Sequence, residues 1–209
     1  MRPMTAAVLN SSIDSDPTRD LSAKPGRAAA EAAIRTIISY LGEEPDREGL
    51  FETPARVVRA LGEHFSGYRI NPLRYLETTF GETEAYDEMV LLRGIPFVSH
   101  CEHHMAPIIG RAWVAYVPDG RVVGISKLAR VVDAYAKRLQ IQEKMTAQIA
   151  SAVNTGLHPK GVAVVIKASH ACMTARGVAK PGSDLVTSRM LGCFRDDQLL
   201  RQEMLRHVE

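Results

Sequence analysis

Cysteine and histidine are scarce in this chain, three and seven in 209 residues, and they are not scattered. Two of the cysteines and four of the histidines fall in two short segments, Ser99-His100-Cys101-Glu102-His103-His104 and Ser169-His170-Ala171-Cys172. Thiolate and imidazole are preferred donors for a borderline-soft divalent ion, above all zinc. Cys101 and His104 stand three apart, a spacing that on a tight turn can aim two side chains at one ion. Cys172, about 70 residues later, offers a third donor. Three protein ligands leave a tetrahedral ion one open position, the arrangement of catalytic rather than structural zinc. Water bound there has its pKa lowered towards ~7, which gives hydroxide at neutral pH.

Two further histidines flank these donors. His103 abuts His104, and neighbouring side chains diverge, so the two are not expected to share one ion. His170 precedes Cys172 by two and, in an extended segment, shares its face. It would then stand beside the ion, as a fourth ligand or as a proton donor. An unperturbed pKa of about 6.5 suits it to proton transfer. The fourth-ligand alternative is a closed, structural site of Cys101, His104, Cys172 and His170. Cys193 is left over and reads as a small buried hydrophobe.

A second group of residues suits an anion. Gly124-Ile125-Ser126-Lys127-Leu128-Ala129-Arg130 sets a strand end, a helix start and two cations together. A helix N-terminus offers free N–H groups and partial positive charge to phosphate, and Lys127 and Arg130 share one helix face. Arg176, four residues after Cys172, brings another cation towards the metal donors. Gln142-Glu143 opens the following helix. Its carboxylate can accept two parallel N–H donors, as guanine presents on its N1–H and 2-amino edge. The plainer readings are solvated basic residues and a helix-start glutamate favoured by the macrodipole.

These residues must be held by an ordinary globular frame, since the chain is 45% hydrophobic and 24% charged. A formal charge of +2 is too small to argue for nucleic acid or membrane. No apolar run approaches the roughly 20 residues of a membrane span, and the first residues lack the apolar region of a signal peptide. Cysteines at metal-like spacing without an export signal fit a reducing cytoplasm. Residues 1–24, rich in Ser, Asp, Pro and Thr, read as a flexible tail. Residues 25–84 form an N-terminal helical segment: an apolar stripe from Ala28 to Leu41, a helix capped by Thr53 with Pro54 at its first position, and a short one after Asn71-Pro72. Residues 85–209 read as the domain that carries both groups of candidate residues. Strands are expected over 89–98, 112–117, 161–168 and 184–194. Pro118-Asp119-Gly120 turns into a short returning hairpin strand over 121–125. Helices are expected from Ser126, over 141–153, and as one amphipathic helix over 195–208. The order predicts an α+β fold with an antiparallel four-stranded sheet. Its open edges must be paired or covered, which points to oligomerisation.

The motifs in this order resemble those of the GTP cyclohydrolase I family. The likeness runs from about Arg27 to the C-terminus. It is carried by Arg47-Glu48-Gly49-Leu50 with Thr53-Pro54, Cys101-Glu102-His103-His104, Gly124 to Arg130, Gln142-Glu143, His170-Ala171-Cys172-Met173 and Arg176-Gly177-Val178. The resemblance implies a tunnelling fold, with helices on one sheet face and sheets joined across subunits into the barrel of a toroidal homodecamer. It implies the conversion of GTP and water to formate and 7,8-dihydroneopterin triphosphate, the first step of tetrahydrofolate and pterin synthesis.

By the same resemblance, Cys101, His104 and Cys172 are the Zn2+ ligands, and His170 protonates the purine imidazole ring as zinc-activated water attacks C8. His103 is the second catalytic histidine. Ser126 and Gln142 contact the ribose, Lys127, Arg130 and Arg176 clamp the triphosphate, and Glu143 anchors guanine. Two positions depart from the pattern. Arg59 stands where a phosphate-binding lysine is expected, and Thr174-Ala175 replaces bulkier apolar residues. The competing reading is a zinc-stabilised protein of this fold that binds nucleotide or a partner without turnover.

Overall fold

The computed structural model describes residues 24–81 and 86–208. Nearly all of the tail expected over 1–24, and the boundary expected at 84/85, lie outside the described residues. Before the main sheet come two helices, α1 (Arg27–Tyr40) and α2 (Thr53–His64), which pack on each other, and two short 3₁₀ turns, Ser66–Arg69 and Pro72–Leu76. Thr53 is not the cap of α2 but its first helical residue. Glu52 precedes it, with Pro54 in the first turn, where its missing N–H costs nothing. Asn71 does cap the second 3₁₀ turn, its Oδ1 accepting the Leu73 N–H at 3.1 Å.

Four long strands carry the domain: β2 (Val90–Cys101), β3 (Pro107–Val117), β6 (Gly161–His170) and β7 (Leu185–Gly192), antiparallel in that order. A fifth, two-residue strand corrects the four-stranded expectation. β5 (Leu139–Gln140) adds parallel to the end of β2, pairing Cys101 with Gln140. The short strand after the Pro118-Asp119-Gly120 turn, β4 (Val122–Val123), does not return along β3. It pairs with β1 (Thr79–Phe80), and the Tyr116 hydroxyl accepts the Val123 N–H at 3.1 Å. Its partner is distant in sequence, so local turn chemistry could not reveal it.

Two helices, α3 (Ile125–Ala136) and α4 (Gln142–Leu157), cover one face of the sheet. Val131, Val132, Met145, Ile149 and Val153 meet Ile108, Val114, Val164 and Ile166 there, all fully buried. Each such side chain contributes about 1.5–3 kcal/mol of burial. The other face is not bare, which corrects the one-sided expectation. Trp113, Ala115, Ala163, Val165 and Met190 form a second core under α6 (Cys193–Asp196) and α7 (Gln198–Arg206), through Phe194 and Met204. Unbroken apolar runs in β3 and β6, buried on both sides, are the signature of that arrangement. The single C-terminal helix expected is two, because Asp197 is extended and its Oδ1 accepts the Leu199 and Leu200 N–H groups as an N-cap. Gly192 ends β7 earlier than expected. It has φ +55°, and a Cβ there would lie 2.3 Å from the Lys160 carbonyl oxygen. No described helix is long and apolar enough to cross a membrane.

Candidate metal centre

The β2–β3 connection is a closed turn. The Cys101 N–H donates to the Ala106 carbonyl at 2.9 Å, and the Met105 N–H to the Cys101 carbonyl at 2.9 Å. Closing it puts Met105 at φ +54°, a left-handed conformation that costs a residue with a Cβ about 1–2 kcal/mol. The turn folds His104 back, and its Nδ1 comes 3.9 Å from the Cys101 sulfur. The third donor arrives from β6. That strand ends at His170, and the chain turns into the short helix α5 (Ala171–Thr174), which carries Cys172. One ligand atom each from Cys101, His104 and Cys172 lies within 4.8 Å of the others.

Burial pushes the Cys172 thiol up, and the neighbouring Cys101 sulfur pushes it further, since two thiolates side by side repel. A divalent cation between them would relieve that repulsion. Two soft sulfurs and one imidazole fit zinc in type and number, with a fourth position open. The Arg176 guanidinium reaches the same centre from beyond α5, its Nη1 donating to His104 Nε2 at 3.3 Å. His104 therefore offers a lone pair on Nε2 here, and its Nδ1 faces Cys101.

His170 is not a fourth member of the donor group. The helical turn after it separates it from Cys172, where an extended segment would have kept them together, and its Nε2 lies 2.8 Å from Gln142 Oε1. Burial lowers its pKa, partly offset by the negative charge of Glu143, so these two residues share one neighbourhood. Gln142 is fully buried at the start of α4, and its amide nitrogen lies 3.2, 3.0 and 3.1 Å from Ile166 O, Leu185 O and Thr187 Oγ1. Every polar atom of that side chain is engaged inside the protein. Of its polar atoms, Oε1 alone keeps a second lone pair for the ribose contact expected of Gln142.

His103 is exposed, its ring edge-on to His104 with centroids 6.3 Å apart, so the two diverge as adjacent side chains should. His100, one residue before Cys101, faces away from the centre into a buried contact with His64 and Phe65. Ser126, Lys127 and Arg130 stand together at the start of α3, and Arg130 lies 5.8 Å over the Tyr75 ring. Arg59 is exposed on α2. No hydrogen bond or ion pair joins these four to the metal donors among the described residues. Residues that sequence reasoning missed are Thr146 and Thr187, which brace Gln142. The only local signal was Thr146 one helical turn after Gln142.

A Cys-His-Cys centre at the end of an antiparallel sheet, beside a histidine held by a buried amide, defines an α+β protein that can hold a metal ion next to an acid–base group. The model of the family described as GTP cyclohydrolase I matches residues 30–209. The chain belongs to that family. Proteins named GTP cyclohydrolase 1 from Brucella abortus and Brucella melitensis are each 56% identical to it over 180 residues, spanning 85% of this chain and 84% of theirs. The crystal structure of an archaeosine synthase QueF-Like in the apo form aligns with a TM-score of 0.42 at 21% identity. It covers 50% of this chain and 93% of the other, a likeness too distant to bear on the fold.

Proposed function

We propose that the chain is a zinc-dependent GTP cyclohydrolase I, converting GTP and water to formate and 7,8-dihydroneopterin triphosphate as the first step of tetrahydrofolate and pterin synthesis. One observation carries the reading: the Cys101, His104 and Cys172 donors meet within 4.8 Å while His170, two residues from Cys172, is held outside the donor set as an acid–base group. A zinc ion held by these three residues would supply a Lewis acid that lets water act as a nucleophile at neutral pH.

The chain's own residues do the rest. Glu143 accepts the N1–H and 2-amino donors of guanine through its two oxygens. Its negative charge acts on His170, which supports placing the base it holds near that imidazole. His170 protonates the imidazole part of the purine as C8 is attacked. Its burial makes the imidazolium a stronger acid than a solvated one. His103 serves ring opening and the later proton transfers at the ribose, and Ser126 holds the ribose. Lys127, Arg130, Arg176 and Arg59 hold the triphosphate and provide binding energy remote from the reacting carbon. Arg59 brings a planar fork where a lysine would bring a point charge.

The protein works as a homodecamer of the tunnelling fold, its sheets joined into a barrel and its sites completed between copies. Exposed Ile37, Tyr40, Leu41 and Phe51 on the N-terminal segment, and Val98 and Ile109 on the open part of the sheet, support such burial by other copies. Three free cysteines support a cytoplasmic setting. The test is turnover of GTP by purified protein with and without a chelator. Metal-dependent formate and pterin are expected, and formate that persists unchanged without metal would overturn the zinc assignment.

A further inference from the structure

Gln142 lies at the centre of a hydrogen-bond network whose polarity can be read atom by atom. A carbonyl oxygen can only accept. Ile166 O and Leu185 O both lie within 3.2 Å of one end of the Gln142 amide, so that end is the nitrogen and the other is the oxygen. The Thr146 hydroxyl lies 2.7 Å from the backbone carbonyl oxygen of Gln142 and must donate to it. Its single proton is then spent, so at 2.7 Å it accepts from the Thr187 hydroxyl. Thr187 Oγ1, having donated, lies 3.1 Å from the Gln142 amide nitrogen, whose two protons go to the Ile166 and Leu185 carbonyls or are shared with it. The two backbone carbonyls alone settle which way the amide points. What remains is Gln142 Oε1, which can only accept and lies 2.8 Å from His170 Nε2.

We infer that Gln142, its amide oriented by the Ile166 and Leu185 carbonyls, is a positioning residue that holds neutral His170 as the tautomer with its proton on Nε2, leaving Nδ1 as the nitrogen free to meet the substrate. Nδ1 of His170 has no hydrogen-bond partner among the described residues. The opposite tautomer would set a bare Nε2 lone pair against the Gln142 oxygen. The inference rests on the cyclohydrolase reading for what His170 does, but not for which nitrogen carries the proton.

The experiment is nitrogen-15 NMR of histidine-labelled full-length protein at alkaline pH, where imidazoles are neutral, with the His170 signals identified by their loss in His170→Gln. The expected pattern is a protonated Nε2 and a bare Nδ1. In Gln142→Leu, which takes away the accepting oxygen and leaves the His170 ring unaltered, signal from the other tautomer is expected. GTP turnover of Gln142→Leu should show kcat falling about 10- to 100-fold, the scale for losing a group that orients a functional histidine. KM should stay within about twofold. A protonated Nδ1 in the unaltered protein overturns the inference whether or not the enzyme turns over. A changed tautomer with unchanged kcat overturns the functional half. If Gln142→Leu does not fold, the tautomer of the unaltered protein alone decides. Failure of the unaltered protein to act on GTP overturns the cyclohydrolase reading instead, and the tautomer pattern is read independently of it.

Discussion

The two sides of the site are built on opposite terms. On the His170 side every polar atom of Gln142 has a partner, and the chain α4–β6–β7 closes on itself without a ligand. On the other side stand Ser126, Lys127, Arg130, Arg176 and Glu143, of which all but the half-buried Lys127 are exposed at helix starts and turns. Buried polar groups without partners cost too much to keep, so the inner side must be completed by the protein itself. The outer side can wait for phosphate, guanine or another copy of the chain, because water satisfies it meanwhile. On the proposed reading, the difference separates positioning a proton from holding a substrate. Changes on the inner side should therefore strike kcat, and changes on the outer side KM.

The largest effect is expected at the centre that joins the two sides. Cys172→Ala leaves two protein donors, and both metal content and turnover should be lost. Full zinc by elemental analysis together with full activity would remove Cys172 from the donor set. Next is His170→Ala, which should keep the metal and lose at least ~100-fold in rate, the scale for a general acid. Loss of zinc in this variant would make His170 a ligand after all and erase the line between the sides. Smaller and of a different kind is Glu143→Ala, expected to weaken discrimination between GTP and ATP through KM. Unchanged discrimination would remove Glu143 as the reader of the base.

A pH prediction concerns His100, buried against His64 on the far side of the metal turn. Burial, and then the charge of His64, lower its pKa, so the unfolded chain binds protons more readily than the folded one. Stability of the metal-free protein should be full above about pH 6.5 and fall as pH drops below it. His100→Phe should flatten that slope in denaturation midpoints measured at pH 7.5 and 5.5, and an unchanged slope would exonerate His100. The smallest effect is Met105→Gly. Relief of the left-handed strain, less the entropy of a freer chain, should raise stability by about 0.5–1 kcal/mol in thermal unfolding of the metal-free protein.

The same contrast explains what could be read without coordinates. Cys101 and His104 were legible because a turn brings residues three apart together whatever surrounds it, and Cys172 because thiols are scarce. The four long strands and the helices α3 and α4 announced themselves by apolar periodicity. His170's partner was not legible. It depends on β6 ending at His170 and on an amide 28 positions away in sequence, which no local pattern encodes. The β1–β4 pairing and the second core under α6 and α7 were missed for the same reason, since both are choices of distant partners. Asp197 is different. It carried an ordinary N-cap signal that an amphipathic stripe running through it concealed.

The central claim is that this chain couples a metal centre to His170 in order to open and rebuild the purine of GTP. Purified protein incubated with GTP, with and without chelator, should release formate and yield fluorescent pterin after oxidation only when metal is present. Neither product from a folded, zinc-loaded protein would contradict the account.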